Sequence, residues 1–466
     1  MRDFTVKQLH EVVGGRLRLA SLAPESGEET LVRRIVTDSR QVQAGDVFWG
    51  LRGTRFDGAG FALDAFAAGA AGAVVSKYVQ PHPGCWSLQV NDSQQALDQL
   101  ARWNRQRMHG RVVAVTGSVG KTTTRQMIRA VLASNFCGTA SPRNFNNHVG
   151  LPLSMLAIEP EHDFAVLEVA ASAPGEILQL ARLCQPEIGV ITRIGDAHLS
   201  GFGTVQGVAE GKAELLPVLP PHGWAVLSGD DPQLRRLASR TRTNIVWFGR
   251  SLENDLVATN VRCREGRLSF AVDGTSLSVA AWGRHHLPSA LAAVAIGRIF
   301  GICDAEIARG LEQFQPAPMR CQITRVGEAT IVDDSYNASP IAMKAALELL
   351  RDFDARGRRI VICGDMAELG EQADALHYEL GDQVVTLCGA DLLIACGRWA
   401  EEVAAGALAA GMPRHAVTAC HEPDEIIEQC TTLLEPGDVA LVKGSRVMAM
   451  ERIVGAMSHR EPELTH

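Results

Sequence analysis

The chain has 466 residues, a length that predicts two or three domains rather than a single hydrophobic core. Its formal net charge of −8 argues against nucleic acid and anionic membrane surfaces as partners, and its 46% hydrophobic and 21% charged residues are typical of a soluble globular protein. The eleven cysteines contain no CxxC pair, which favours reduced, mostly buried thiols in a cytoplasmic protein. No stretch predicts a signal peptide or a membrane span.

Residues 1–84 are predicted to form a small α/β domain. Short apolar strands near residues 32–37 and 45–50 precede an alanine-rich helix. Asp38, Ser39 and Arg40 follow the first strand, and a hydroxyl beside a guanidinium can hold a nucleotide head group. From spacing alone, a solvated turn remains the alternative interpretation of these three residues.

The stretch at residues 111–124 combines a buried strand, a tight glycine loop and the start of a helix. This order is typical of phosphate binding, because loop N–H groups and the positive helix end face the anion. Lys121 would neutralise the outer phosphates and the Thr122 hydroxyl would ligate Mg²⁺. Val115 replaces the first glycine of the usual P-loop, so the pattern is the shorter Gly-x-x-Gly-Lys-Thr. The alternative is a plain glycine turn beside a surface lysine.

Three ionisable residues follow in the central α/β region. Glu168 lies in an apolar strand, where an uncompensated charge is costly, and this favours Mg²⁺ ligation over a structural salt bridge. His198 comes after the strand near residues 188–194, at the edge where doubly wound sheets bind ligands. Lys212, in a predicted helix at 205–216, is one of only six lysines in an arginine-rich chain, which invites a specific role for its amine.

Two further segments complete the predicted organisation. The loop at 141–152 is rich in amides, and substrate binding and a turn-rich connection are both compatible with it. A proline-bearing link at 314–319 separates a central domain, 85–315, from a C-terminal domain, 316–466. The C-terminal domain is predicted to hold a Rossmann-like parallel sheet, and because it lacks GxGxxG we infer no dinucleotide.

Six motifs, together with residues 38–40, resemble the Mur ligases of peptidoglycan synthesis over nearly the whole chain. They lie at residues 116–122, 144–152, 197–203 with Lys212, 333–340, 364–370 and 442–446. The resemblance implies three α/β domains: a UDP-substrate domain, a central P-loop ATP-binding domain and a Rossmann-like ligase domain. It also implies an ATP-dependent ligase that adds D-Ala-D-Ala to UDP-N-acetylmuramoyl-tripeptide through an acyl phosphate, in cytoplasmic peptidoglycan precursor synthesis.

The resemblance also assigns the residues of the site. Lys121, His198 and Lys212 are expected to be catalytic, with ATP and two Mg²⁺ ions as cofactors. The expected metal ligands are Thr122, Glu168, His198 and a carbamylated Lys212. The expected ATP contacts are Gly117, Ser118, Val119, Gly120, Lys121, Thr122, Thr123, His286, Arg320 and Asp334. The expected substrate contacts are Asp38, Ser39, Arg40, Asn144, Asn147, Tyr336, Asn337, Lys443, Ser445 and Arg446. We expect a monomer that neither binds nucleic acid nor inserts into a membrane.

The chain departs from the family pattern at several positions. Arg193 and Ser200 replace an asparagine and an acid around the histidine motif, and His286 and Ser289 replace asparagines in the adenine-side stretch. Folylpolyglutamate synthase, which shares the short phosphate loop, is the nearest enzyme alternative, but it has no counterpart of the domain that carries residues 38–40. A catalytically dead nucleotide-binding regulator is the alternative from another class, and retention of the reactive residues argues against it.

Overall fold

Residues 4–20, 28–53 and 56–458 are described by a computed structural model. The N-terminal part begins with ten elements. In chain order they are β1 (Phe4–Thr5), α1 (Val6–Val13), β2 (Arg16–Leu19), β3 (Leu31–Val32), β4 (Ile35–Val36), β5 (Val47–Trp49), α2 (Ala62–Ala67), β6 (Gly72–Val75), β7 (Trp86–Gln89) and α3 (Ser93–Gln106). A five-stranded sheet has the order β2-β7-β6-β5-β4. Its strands pair in parallel, except that β2 runs antiparallel to β7.

The core of the N-terminal part lies under α2. Phe48, Phe66 and Val75 are buried there together with alanines of the helix. The predicted alternation of apolar strands with an alanine-rich helix is therefore confirmed, and the strand expected near residues 32–37 is divided into the two short strands β3 and β4.

The central part has eighteen strands and helices of its own. In chain order they are β8 (Arg111–Thr116), α4 (Lys121–Leu132), β9 (Gly138–Ala140), α5 (Gly150–Leu156), β10 (Phe164–Glu168), α6 (Glu176–Cys184), β11 (Ile188–Ile191), α7 (Leu199–Phe202), α8 (Val205–Ala213), β12 (Trp224–Ser228), α9 (Pro232–Leu237), β13 (Asn244–Gly249), β14 (Leu256–Val257), β15 (Thr259–Arg264), β16 (Arg267–Val272), β17 (Thr275–Val279), α10 (Leu287–Ile299) and α11 (Asp304–Glu312), the three strands β15 to β17 forming a separate sheet.

The main central sheet has the strand order β14-β13-β12-β11-β8-β10-β9. Its strands are almost entirely apolar; the side chains of 112–115, for example, are fully buried. Strands of a parallel sheet that is covered on both faces have this continuous apolar pattern, whereas strands with one exposed face alternate apolar and polar residues. Helix α10 has apolar residues on nearly all sides, as expected for a helix that is buried. It packs against α4.

The C-terminal part repeats the α/β pattern. Its elements are β18 (Gln322–Val326), β19 (Ala329–Asp333), α12 (Pro340–Asp352), β20 (Arg359–Gly364), α13 (Ala373–Thr386), β21 (Leu392–Cys396), α14 (Ala400–Ala409), β22 (Val417–Cys420), α15 (Asp424–Cys430), β23 (Val439–Lys443) and α16 (Glu451–Met457). The sheet order is β18-β19-β23-β20-β21-β22, with β18 antiparallel to β19 and the remaining pairs parallel. The predicted Rossmann-like sheet is confirmed.

By compactness the chain divides into two units. The first is formed from Met1–Ala114, Phe136–Val169 and Gln179–Glu187, and the second from Val115–Asn135, Ala170–Leu178 and Ile188–His466. The mixed α/β class is confirmed, whereas the domain bounds at residues 84 and 315 stay a prediction. All eleven cysteines are free thiols and most are buried, as expected. Among the described residues, every helix is too short or too polar to cross a lipid bilayer.

Candidate active site

The glycine loop lies between β8 and α4, as the sequence predicts. Gly117 has a φ of 143°, and a Cβ there would lie 2.1 Å from the Thr192 hydroxyl oxygen, so the position requires glycine. Gly120 has a φ of 82° and forms the N-cap of α4. As a glycine, Gly120 has no side chain that could accept a hydrogen bond from the N–H groups of the first helical turn. The helix end is therefore suited to an anion such as a nucleotide phosphate.

Lys121 is the first residue of α4 and extends back over the loop. Its Nζ donates hydrogen bonds to the carbonyl oxygens of Gly117, at 2.8 Å, and Ser118, at 3.3 Å. The side chain is half-buried, while Thr122 and Thr123 behind it are buried. A lysine held over the loop differs from the plain surface lysine of the alternative interpretation. Its charge lies where the outer phosphates of a bound nucleotide would be.

The segment after β11 supports this loop. The Thr192 hydroxyl donates to the Val119 carbonyl oxygen at 2.6 Å. The Ser118 hydroxyl and the Gly195 backbone exchange hydrogen bonds of 3.1 Å, with Ser118 Oγ accepting from the Gly195 N–H. The loops that follow β8 and β11 are thus bound together at one edge of the sheet. His198 lies three residues beyond Gly195 in the sequence.

Lys212 is fully buried in α8, with 0% relative exposure. Its Nζ donates a 2.8 Å hydrogen bond to the Ala171 carbonyl oxygen and lies 5.1 Å from the centre of the Phe202 ring. Lysine is almost never buried to this degree without a specific partner. The predicted special role of this lysine is therefore matched by an unusual environment.

Burial lowers the pKa of Lys212 from 10.5 to about 7. Loss of solvent around the amine is the main cause, and the positive charge of Lys121 lowers the pKa further, while Glu176 and Glu214 raise it. The effect of Lys121 on this pKa places the two amines within electrostatic range of each other. At neutral pH about half of the Lys212 amine would be uncharged, against about one part in 3000 for an ordinary lysine.

His198 lies in contact with Glu368 of the C-terminal part. Its Nδ1 forms a hydrogen bond with the Glu368 carboxylate, and the Ser200 N–H donates to the Glu368 carbonyl oxygen at 3.0 Å. The interaction with His198 is the main reason why the pKa of Glu368 is lowered. His198 also has a left-handed φ of 55° at the N-cap of α7, a strained conformation of the kind that clusters at functional sites.

Glu168, in the first unit, ends β10 as a nearly fully buried carboxylate, 2% exposed. It accepts a hydrogen bond of 2.8 Å from the Asn146 side-chain amide, and its own N–H donates to the Ser141 hydroxyl at 3.1 Å. Both partners come from the amide-rich loop. Asn147 instead accepts from the N–H groups of Val149 and Gly150, and so starts α5.

The predicted C-terminal residues form one group around a buried ion pair. Lys443, at the end of β23, pairs with the Asp334 carboxylate and donates to the Asn337 carbonyl oxygen at 2.8 Å. The Arg320 guanidinium lies 4.1 Å from the centre of the Tyr336 ring. Asp334 and Tyr336 follow β19, Lys443 ends β23 and Arg320 precedes β18, and these three strands are neighbours in the sheet. Four of the predicted contact residues and Asn337 are therefore close together.

The remaining predicted substrate residues have local partners. The Arg40 guanidinium pairs with the Asp38 carboxylate at 2.8 Å. The buried Ser445 hydroxyl accepts from the Ala367 N–H at 2.7 Å, and Arg446 pairs with Glu451. Ser39 belongs to a short helical turn that Asp38 caps, and Asn144 is exposed on the amide loop. Their proposed substrate contacts stay predictions.

Two of the departures from the family pattern have structural partners. The Thr124 hydroxyl of α4 donates to the Ser289 hydroxyl oxygen at 2.8 Å, so Ser289 joins the phosphate-loop helix to α10. The ring of His286 is tilted against that of His285, with ring centres 4.1 Å apart. A cavity of about 860 Å³ opens beside this stretch, and Arg193, Gly283 and His285 are among its lining residues. The carbonyl oxygen of Arg193 also accepts from the Ser118 N–H.

Only some of the expected metal ligands have the donor chemistry that Mg²⁺ prefers. The Glu168 carboxylate and the Thr122 hydroxyl offer hard oxygen atoms. His198 offers a nitrogen, and Lys212 offers an amine that cannot act as an oxygen ligand until it has become a carbamate. The oxygen donors fit Mg²⁺ as they stand, and Lys212 fits only after modification.

Sequence reasoning missed three partners. Asn146, rather than Asn144 or Asn147, contacts Glu168, and Glu368 contacts His198. Glu214 accepts hydrogen bonds from the N–H groups of Gly175 and Leu178. Its negative charge raises the pKa of Lys212. Asn146 lies in the amide-rich loop at 141–152 and Glu368 in the motif at 364–370, both identified in the sequence. Their hydrogen-bond partners could not be predicted, because each pair joins segments that are distant in sequence.

Comparison with known families agrees with this geometry over most of the chain. The model of the Mur ligase middle domain matches residues 115–297, and that of the Mur ligase glutamate ligase domain matches residues 319–446. The model described as the Mur ligase family catalytic domain matches residues 31–103. The phosphate loop, His198 and Lys212 all lie within the first of these matches.

Individual relatives match along the full chain. A UDP-N-acetylmuramoyl-tripeptide–D-alanyl-D-alanine ligase of Bacillus subtilis is 35% identical over 455 residues, 97% of both chains. The crystal structure of MurF from Acinetobacter baumannii has a TM-score of 0.86 at 29% identity and covers 99% of this chain and 100% of its own. The MurF ligase of Thermotoga maritima, solved in complex with ADP, has a TM-score of 0.79 at 30% identity, covering 92% and 97%. These matches define a three-domain, nucleotide-dependent ligase. The chain belongs to the Mur ligase family.

Proposed function

We propose that this chain is an ATP-dependent amide ligase that joins D-Ala-D-Ala to UDP-N-acetylmuramoyl-tripeptide in the synthesis of peptidoglycan precursors. The Bacillus subtilis and Escherichia coli relatives carry this activity in their names and match 97% and 98% of the chain. The observation that carries the proposal is the buried Lys212, whose pKa responds to Lys121 of the phosphate loop. A plain nucleotide-binding module has no need of a second, desolvated lysine there.

The reaction begins with phosphoryl transfer. A carboxylate oxygen of the tripeptide attacks the γ-phosphorus of ATP, and the bond between that phosphorus and ADP breaks. The α4 N-terminus and Lys121 neutralise the negative charge that the transferred group spreads over its oxygens. Because these groups are already held by Gly117, Ser118 and the Thr192 contact, they need little rearrangement as the charge develops.

Amide formation follows from the acyl phosphate. The amine nitrogen of D-Ala-D-Ala attacks the activated carbonyl carbon, loses a proton, and inorganic phosphate leaves with the oxygen that came from the tripeptide. Lys443, Asp334, Arg320 and Tyr336 form a charged group at the C-terminal ends of β19 and β23, where ligands bind in open α/β sheets. We assign this group to the nucleotide and the incoming dipeptide.

Mg²⁺ would be held by the Thr122 hydroxyl, the Glu168 carboxylate and His198, and it would supply positive charge to the phosphate oxygens. Lys212 would join these ligands as a carbamate. The neutral amine attacks the carbon of CO₂, an N–C bond forms, and one proton is released to solvent. A pKa of about 7 supports this step, because only the uncharged amine is a nucleophile.

The proposal is tested by phosphate release from ATP with defined acceptor pairs. Release should require both UDP-N-acetylmuramoyl-tripeptide and D-Ala-D-Ala, and mass spectrometry should detect the corresponding UDP-pentapeptide. Equal release with folate and glutamate would favour the folylpolyglutamate synthase alternative. Absence of release with every pair would favour a nucleotide-binding regulator. A panel that varies the third residue of the tripeptide would then distinguish diaminopimelate from lysine. The monomeric state and the cytoplasmic location expected from the sequence stay predictions.

A further inference from the structure

A second cluster of reactive side chains contains none of the predicted catalytic residues Lys121, His198 and Lys212. The metal-ligating atoms of His285, His286 and Cys321 all lie within 4.8 Å of one another. Cys321 Sγ is 3.7 Å from His285 Nε2, and the two imidazole rings are 4.1 Å apart between centres. His285 and Cys321 have no part in the ligation chemistry proposed above.

The cluster is assembled by the fold rather than by local sequence. His285 and His286 end a short helical turn immediately before α10, and Cys321 immediately precedes β18. The Cys321 N–H donates a hydrogen bond of 3.1 Å to Asp334 Oδ1, which fixes the backbone of the third residue of the cluster. Cys321 has a left-handed φ of 49°, uncommon for a residue with a side chain. The three side chains are therefore held in place from two separate segments.

The chemistry of the three groups favours a thiophilic divalent ion. Two imidazole nitrogens and one thiolate are ligands of Zn²⁺, with bond lengths of about 2.0–2.3 Å. Tetrahedral geometry at those lengths places ligand atoms roughly 3.5 Å apart. The 3.7 Å between Cys321 Sγ and His285 Nε2 is close to this separation. Mg²⁺, which takes oxygen ligands, is not suited to the cluster.

The protonation states are compatible with binding. Burial is the main cause that lowers the pKa of His285 to about 4 and that of His286 well below its ordinary value, so both rings are neutral and can ligate. Burial also raises the pKa of the Cys321 thiol. Binding would break its S–H bond, form an S–metal bond and release one proton to solvent. Nearby positive charges, those of Lys443, Arg193 and Arg320, disfavour a bound cation. The negative charge of Asp334 favours one.

We propose that His285, His286 and Cys321 form a binding site for Zn²⁺ or a similar thiophilic divalent ion, with water in the fourth position. None of the three residues is a proposed Mg²⁺ ligand, whereas His286 is among the expected ATP contacts, so metal binding is measured here without ATP.

Cobalt spectroscopy tests the site directly. The full-length protein, freed of metal by a chelator, would be titrated with Co²⁺ and the ultraviolet and visible absorption recorded. We expect one equivalent to produce a thiolate-to-cobalt charge-transfer band together with the visible bands of four-coordinate cobalt. Added Zn²⁺ should abolish both, and excess Mg²⁺ should not. Absence of the charge-transfer band in the wild-type protein would overturn the proposal.

Variants assign the signal to the cluster. Cys321→Ser should remove the charge-transfer band and weaken Zn²⁺ binding by at least about tenfold, whereas Cys388→Ser, at an equally buried thiol, should change neither. His285→Gln keeps the thiol and should weaken Zn²⁺ binding by a similar factor. It provides an independent test of the site if Cys321→Ser does not fold. A band that persists in Cys321→Ser, or full affinity in folded His285→Gln, would contradict the assignment.

Discussion

The amine of Lys212 donates a 2.8 Å hydrogen bond to the carbonyl oxygen of Ala171 at a position that solvent does not reach. A buried ammonium group keeps only part of the solvation that water would give it, which is why its pKa is lowered to about 7. An arginine at this position would remain charged at any accessible pH. The environment thus favours a lysine that can become neutral and react.

Lys212→Ala is expected to lose at least about 100-fold in turnover, because it removes both the amine and its carbamate. Short carboxylic acids such as acetate or formate should restore part of the activity, since they can supply a carboxylate to the space left by the side chain. Steady-state phosphate release in the presence and absence of each acid would measure both effects.

A surface lysine provides the matched control. Lys77 is exposed and pairs with Asp57, so Lys77→Ala should keep near-normal turnover and gain nothing from added acids. Near-normal activity of Lys212→Ala would contradict the carbamate proposal, as would a failure of every short acid to restore turnover.

The lowered pKa of Lys212 also predicts how stability depends on pH. Between pH 7 and 10.5 the unfolded chain binds a proton at this lysine that the folded chain does not, so the free energy of unfolding rises with pH. Relative to Lys212→Met, the wild-type protein in CO₂-free buffer should gain up to about 1.4 kcal/mol per pH unit within this window. Denaturant unfolding at several pH values would measure the slope. A flat or falling difference would show that the amine is not desolvated.

Lys121→Ala should lose at least about 100-fold in kcat/KM, because it removes the cation held over the phosphate loop. Trapping with hydroxylamine would show whether any acyl phosphate still forms. Arg129→Ala, at an exposed position on the same helix, should leave both measurements nearly unchanged. A Lys121→Ala protein that made acyl phosphate at the wild-type rate would contradict the role of the loop.

Glu368→Gln keeps the shape of the side chain but removes the charge that faces His198. Because a partner of this kind orients the imidazole, turnover is expected to fall by about 10- to 100-fold with the fold intact. Glu371→Gln, three residues away and exposed, is the control. Circular dichroism would confirm folding. Equal activity of the two variants would indicate that the His198–Glu368 contact has no part in turnover.

Much of the fold could be predicted from local patterns. The apolar residues of β8, the glycines of the loop and the helix that begins at Lys121 are adjacent in sequence, so periodicity and glycine positions were sufficient. The predicted helix at 205–216 was too long, because α8 ends at Ala213 and a short 3₁₀ turn at Leu216–Val218 follows. Apolar residues continue beyond the helix and conceal its end. Strand order could not be predicted, since it depends on pairing between distant segments.

The site was predicted less completely. Lys121, Glu168, His198 and Lys212 could be singled out because each is a polar residue in an apolar or glycine-rich setting. The side chains that these residues contact could not be predicted. Asn146 was one of three asparagines in the same loop, and its contact with Glu168 depends on the tertiary path of that loop. The approach of Cys321 to His285 likewise joins residues from two elements, and a single cysteine among eleven carries no local signal.

The transfer of a labelled oxygen tests the central claim most directly. UDP-N-acetylmuramoyl-tripeptide with ¹⁸O in the reacting carboxylate would be incubated with ATP, D-Ala-D-Ala and the enzyme. If that carboxylate attacks the γ-phosphorus and the amine then displaces phosphate, one ¹⁸O atom should appear in each inorganic phosphate released, and the UDP-pentapeptide should keep the other. Inorganic phosphate without label, with the lost ¹⁸O appearing in water instead, would contradict an acyl-phosphate ligase.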